Sequence, residues 1–113
     1  MFCMVLGSIT YTDIIIAQDF EIYGFRGDDK TDFWRYDIST DTWLLTAANA
    51  NEAIESAPGT VREGGALTSD GNYIYGLRGD NTNVFWRYNV ITNTWATMAT
   101  APATVNVGGS LVH

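Results

Sequence analysis

The 113 residues fit one domain at most, and a content of 46 % hydrophobic and 13 % aromatic residues is enough to build a core, which excludes disorder as the default state. A net charge of −7 repels phosphate backbones and offers no polybasic contact, so neither nucleic acid nor a membrane surface is expected as a partner. One cysteine, Cys3, and one histidine, His113, exclude an internal disulfide, a histidine-based triad and a His-rich zinc site, and no metal or cofactor is expected.

In chain order, residues 1–8 are apolar but have no Lys or Arg ahead of the apolar stretch, so they give only weak support for a signal peptide. Apolar runs such as residues 14–17 are too short to cross a bilayer. Residues 7–10 (Gly-Ser-Ile-Thr) weakly match an element that occurs twice later, and the rest of residues 1–20 fits the later pattern poorly.

From Ile22 onward the sequence repeats. Ile22-Tyr23-Gly24-Phe25-Arg26-Gly27-Asp28 returns as Ile74-Tyr75-Gly76-Leu77-Arg78-Gly79-Asp80, 52 residues later. The same offset carries Phe33-Trp34-Arg35-Tyr36 onto Phe85-Trp86-Arg87-Tyr88, and Thr40, Thr42 and Trp43 onto Thr92, Thr94 and Trp95. Keeping two tryptophans and two tyrosines in step without a gap marks a repeat architecture. The copies then differ in length: the first carries a polar insertion at residues 49–56, expected to bulge from the surface. Gly64-Gly65-Ala66-Leu67-Thr68 matches Gly108-Gly109-Ser110-Leu111-Val112, a third, partial copy.

Each unit reads as four short strands. In the second, these are residues 65–69, a turn at Asp70-Gly71-Asn72 where Gly and Asn supply positive φ, then residues 73–77, residues 84–90 with period-two alternation, a turn at Thr92-Asn93-Thr94, and residues 95–99. The division is 1–63 for the first unit and 64–113 for the second, with an extra strand at 108–112.

These motifs resemble the Kelch repeat. That family shows a strand ending in paired glycines, a Tyr-Asp before a turn, and a Trp some six residues after the Tyr. Tyr36-Asp37 and Trp43 take those places in the first unit, and Tyr88-Asn89 and Trp95 in the second. Pro58 and Pro102 fall where Kelch units often leave the fourth strand. The resemblance covers about residues 20–113. It departs from the pattern where the double glycine becomes Arg26-Gly27 and Arg78-Gly79, and where Asn89 replaces an Asp; the Arg-Gly-Asp form looks like a bacterial variant. The resemblance implies an all-β fold of about two four-stranded antiparallel β-propeller blades. The chain is expected to be soluble; the sequence does not name its compartment, and a bacterial secreted or surface-associated protein is one option.

Propellers use about four to eight blades. Two leave two apolar flanks open, so the ring is expected to close by head-to-tail homo-oligomerisation, a trimer giving six blades. The strand at 108–112 would complete the first blade of a neighbouring copy by exchange, or alternatively replace the poor N-terminal copy.

The candidate binding residues are Arg26, Asp28, Trp34, Arg62, Arg78, Asp80 and Trp86. Trp34 and Trp86 could stack on sugars, but recurrence at the repeat offset favours packing, and still more so for Trp43 and Trp95. Arg26 and Arg78 each begin an Arg-Gly-Asp, an integrin-binding tripeptide elsewhere; inside a repeated motif, an arginine fixing backbone carbonyls or pairing with a carboxylate is favoured. Arg35 and Arg87 are expected to snorkel across the blade or pair between blades. Asp28, Asp29 and Asp32 share a loop, yet the second copy reads Asp80, Asn81 and Asn83, which favours a solvated turn over calcium. Glu52, Glu55 and Glu63 form no placeable acid–base pair, and Gly64-Gly65 lacks the Lys and helix of a phosphate loop. No catalytic residue is assigned. The expected function is a non-enzymatic binding or scaffold module with a protein or glycan ligand. The alternatives are a piece of a larger glycan-binding surface propeller, or a sugar-active enzyme using Arg62, Glu63, Arg26 and Arg78; the resemblance's copper-oxidase chemistry is excluded by the lack of internal histidines.

Overall fold

The computed structural model describes residues 4–6, 19–49 and 51–113; Cys3 and the expected partial copy at residues 7–10 lie outside the described residues. The fold is all-β. Among the described residues there is no helix, and so none long and apolar enough to cross a membrane. Strands β1 (Met4–Leu6), β2 (Asp19–Phe25), β3 (Phe33–Asp37) and β4 (Thr42–Leu44) form one antiparallel sheet in chain order. Strands β5 (Ala66–Ser69), β6 (Tyr73–Leu77), β7 (Phe85–Asn89) and β8 (Thr94–Thr97) form a second in the same way.

Short polar turns produce this meander. Asp41 and Asn93, at equivalent places, take φ of 55° and 54°, the left-handed region that Asp and Asn tolerate best after glycine. In the β5–β6 turn Gly71 alone takes positive φ, at 98°. Asn72, expected to share that role, instead donates its N–H to Asp70 Oδ1 at 2.8 Å. The last turn of each sheet begins with a side-chain cap: Asp37 Oδ1 accepts from Ser39 N at 2.8 Å and Ser39 Oγ at 2.6 Å, and Asn89 Oδ1 from Ile91 N at 2.9 Å. The Ser39 hydroxyl foremost, and the backbone N–H groups against a smaller desolvation penalty, hold the Asp37 carboxyl below its ordinary value. A depressed carboxyl contributes stability that is present above the unfolded pKa and lost as pH falls through the folded one. On acidification below about pH 4, the amide resonances of Ser39 and Thr40 should therefore move. Those of Ile91 and Thr92 should hold still, because Asn89 has no proton to gain; an NMR titration measures both.

The registers repeat as well. Tyr23, Gly24 and Phe25 oppose Arg35, Trp34 and Phe33, and Tyr75, Gly76 and Leu77 oppose Arg87, Trp86 and Phe85. Side chains alternate along a strand, so each sheet has two distinct faces. A leading face carries Glu21, Tyr23, Phe25, Phe33 and Arg35 in the first sheet, and Tyr73, Tyr75, Leu77, Phe85 and Arg87 in the second. A trailing face carries Ile22, Gly24, Trp34, Tyr36 and Trp43, and correspondingly Ile74, Gly76, Trp86, Tyr88 and Trp95.

The core forms where the leading face of the first sheet meets the trailing face of the second. Tyr23, Phe33, Leu67, Ile74, Tyr88 and Val90 are buried together, with Phe25 and Trp95 packed against them. Phe33 meets both Tyr88 and Trp95 edge-on at 4.9 Å between ring centroids, and Phe25 stacks on Trp95 at 5.9 Å. Such ring pairs contribute about 0.5–1.5 kcal/mol each beyond the area they bury. The glycine at 76 makes room for this approach: a Cβ there would lie 2.9 Å from Phe25 Cζ.

A polar network is buried beside the rings. Arg35 pairs with Glu21 and donates from Nε to the Thr46 carbonyl at 2.9 Å, while Tyr23 donates its hydroxyl to Glu21 at 2.9 Å. Burial, then the Glu21 charge, pushes the Tyr23 phenol far above its ordinary value, so it stays a donor. Arg35 therefore pairs within its own sheet. In the second sheet Tyr73 replaces the glutamate, and Arg87 lies over its ring at 4.3 Å.

The polar insertion does more than bulge. It folds back on itself, with Ala47 N donating to Glu52 O at 2.7 Å and Ile54 N to Leu45 O at 3.0 Å. It then docks on the second sheet. Asn93 donates from Nδ2 to Ala53 O at 2.8 Å and accepts from Glu55 N and from the Tyr88 hydroxyl, each at 2.8 Å. A primary amide both donates and accepts, which lets one buried side chain hold a passing backbone at two points.

Two expected strands differ. β1 pairs opposite Asp19–Glu21, whereas β5 pairs opposite Ile74–Leu77, whose counterparts are residues 22–25. Residues 108–112 form no strand in the single chain. After the bridge between Thr82 and Val105 and a turn closed by Gly109 N on Asn106 O at 3.0 Å, they have no ladder partner among the described residues. Their counterpart β5 pairs with β6, the next strand in chain order, and residues 108–112 have no such strand after them among the described residues.

Candidate functional site

The linker between the sheets and the loops after β2 and β6 bring together several of the candidate residues. The loop after β2 runs through Gly27, Asp28 and Asp29 with φ of 70°, 52° and 60°, and that after β6 through Gly79, Asp80 and Asn81 with 71°, 55° and 55°. Three consecutive left-handed residues turn the backbone outward, and the linker binds it there: Asp29 N donates to Val61 O at 3.1 Å, and Asp80 N to Glu63 O at 3.0 Å. An open cleft results, lined by Asp28, Asp29, Arg62 and Glu63.

Arg62 is its cation. It donates from Nη1 to Asp80 Oδ1 at 3.1 Å, with Glu63 3.8 Å from Nε. Asp80 foremost, then Glu63 and Asp29, raise the guanidinium above its ordinary value. Arg78 donates from Nε to the Thr60 carbonyl at 2.8 Å and lies 3.5 Å from Asp80. Arg78 thus ties the linker to the second sheet, whereas Arg62 stays about half exposed and free to exchange partners. Arg26 stands apart, paired with Asp32 at 3.1 Å on the open surface. Among the described residues no group of three or more His, Cys, Asp or Glu side chains is gathered for a metal ion.

The two tryptophans divide. Trp86 is only 3 % exposed, packed with Ala57 and Val61 in the core, so it presents no platform to a ligand in this chain. Trp34 is half-buried on the trailing face of the first sheet, edge-on to Trp43 at 5.9 Å. Trp43 was expected in a core like its counterpart Trp95, yet it is 57 % exposed. Among the described residues no sheet stands in front of it, as the first sheet stands in front of Trp95.

The larger candidate surface is therefore the pair of outer faces, the trailing face of the first sheet and the leading face of the second. Both have the geometry of the buried faces they repeat. On the trailing side, Tyr36 and Trp43 are 5.1 Å apart, as are Tyr88 and Trp95 in the core; Trp34–Trp43 and Trp86–Trp95 are 5.9 and 6.2 Å apart. On the leading side, Tyr75 and Phe85 stack at 5.8 Å and 16°, against 5.5 Å and 22° for Tyr23 and Phe33. Tyr73, Tyr75 and Phe85 had not been singled out from the sequence. The signal was present, because the 52-residue offset maps them onto Glu21, Tyr23 and Phe33, but which of the two faces would be covered was not encoded in the repeat itself.

No family model matches the chain, and no curated protein is significantly similar to it.

Proposed function

We propose that the chain is a non-enzymatic binding and scaffold module: two Kelch-like blades of a β-propeller whose ring is completed by further copies. The observation that supports this most is the asymmetry of the packing. One leading face is buried on one trailing face inside the chain, and one of each is left over with its rings already in the packed geometry. Unlike faces make a heterologous contact, which closes into a ring when the rotation per copy allows it. Three copies would give six blades, within the usual range. The cleft at Arg62, with its exposed guanidinium between carboxylates, is where such a ring would meet a polar protein or glycan ligand.

Assembly couples stability to concentration. The melting temperature should therefore rise by several degrees as the chain concentration is raised a hundredfold. A melting temperature independent of concentration over that range would count against a ring made of copies.

A further inference from the structure

We infer, resting on the ring reading above, that the junction between copies reproduces the junction within the chain residue by residue. The leading face of the second sheet of one copy (Tyr75 and Phe85) docks on the trailing face of the first sheet of a second copy (Gly24, Trp34, Tyr36, Trp43). Residues 106–112 of the first copy cross to the second.

Three independent observations fix this register. The first is the preformed ring geometry of both faces, which places Phe85 against Tyr36 and Trp43 as Phe33 meets Tyr88 and Trp95. The second comes from the glycines. Gly76 is packed by Phe25, and Gly79 by the Glu63 carbonyl and Gly65 N of the linker, so neither tolerates a Cβ. Among the described residues their counterparts Gly24 and Gly27 have nothing within 4 Å of a Cβ position. Gly64 is likewise closed by the Asn106 carbonyl, and its counterpart Gly108 is open. Among the described residues Gly24, Gly27 and Gly108 are thus unfilled; the repeat would place residues 107–109 over Gly27 and Arg62 of the second copy beside Gly108, while Leu77, the counterpart of Phe25, is already buried in its own chain.

The third is the strand edge. Residues 22–25 of β2 have no first-strand partner among the described residues, and residues 109–112, after the turn at Gly108, form no ladder. Transferring the β5–β6 register puts Ser110 opposite Phe25 and Leu111 opposite Gly24 of the second copy, as Ala66 and Leu67 oppose Leu77 and Gly76. Strand addition satisfies both sets of backbone groups at once.

The test uses two full-length variants, each spoiling one face. Gly24→Glu fills a space that is open among the described residues of the single chain but closed at the junction. Phe85→Glu puts a charge on the leading face, where among the described residues the ring touches Tyr75 alone of the aromatic side chains. Circular dichroism should show the strand signal of the native chain in both. Sedimentation velocity should show each variant alone at the 12.5 kDa single-chain mass, and an equimolar mixture at twice that mass, because one good leading face and one good trailing face remain. If the native chain assembles but either variant alone keeps the native mass, or the mixture stays at the single-chain mass, the register is wrong while the ring reading stands. If the native chain is itself a single-chain species, both fail.

Discussion

Replacing Arg35 by alanine should destabilise the fold by about 3–5 kcal/mol, read as a large fall in the urea midpoint at unchanged slope. The side chains of Arg35 and Glu21 are 9 % and 6 % exposed. Among the described residues, removing the guanidinium leaves the Glu21 carboxylate buried with only the Tyr23 hydroxyl, and takes the Arg35 donor from the Thr46 carbonyl at the root of the insertion. A loss of that size is a large part of the roughly 5–15 kcal/mol that holds a domain together. The repeat-equivalent Arg87→Ala removes a contact with the Tyr73 ring worth about 0.5–1 kcal/mol. Measured in the Gly24→Glu background, where single chains are expected, the two arginines should differ several-fold in effect although the sequence presents them as copies. Equal losses would show that the Glu21–Arg35 pair is not a buried unit.

Phe33→Ala and Phe85→Ala should separate folding from assembly. Phe33 meets Tyr23, Tyr88 and Trp95, so its truncation empties the middle of the inter-sheet core and costs about 3–5 kcal/mol. Phe85 stacks on Tyr75 in its own sheet, and its loss should cost the single chain only about 0.5–1.5 kcal/mol. At the junction, however, Phe85 is the counterpart of Phe33. The expected pattern is a destabilised chain for Phe33→Ala, and a near-native chain that no longer assembles for Phe85→Ala. A Phe85→Ala chain that keeps the native mass and melting temperature would remove this residue from any interface.

Much of the strand pattern was legible because it rests on local signals. The expected strand at residues 73–77 is β6 to the residue, and residues 84–90 shorten by one at each end to β7. The fourth strand, expected at 95–99, is β8 at Thr94–Thr97; it starts earlier because Thr94 opposes Asn89 at the mouth of the turn. What the repeat hid were the differences between its copies. Glu21 aligns with Tyr73, so nothing in the shared pattern marks Arg35 as ion-paired and Arg87 as ring-stacked. The docking of the insertion on Asn93 joins residues about 40 apart, through an amide that local turn rules already explained as a positive-φ residue. Trp43 and Trp95 carry the same local sequence and differ only in whether a sheet stands before them, a property of the assembly and not of the strand.

The candidate binding residues divide along the same line. Arg78 and Trp86 are committed to holding the two sheets together, while Asp28 and Arg62 face the cleft. The sequence could nominate all four by recurrence or charge, but only the path of the linker over the left-handed turns separates them.

The central claim is that one leading and one trailing face remain unsatisfied in the single chain. Multi-angle light scattering of the purified native protein tests it most directly. The account predicts a monodisperse species at a fixed multiple of the 12.5 kDa chain mass, three being the expected number. A well-folded species that holds the single-chain mass at every concentration up to the millimolar range would contradict it.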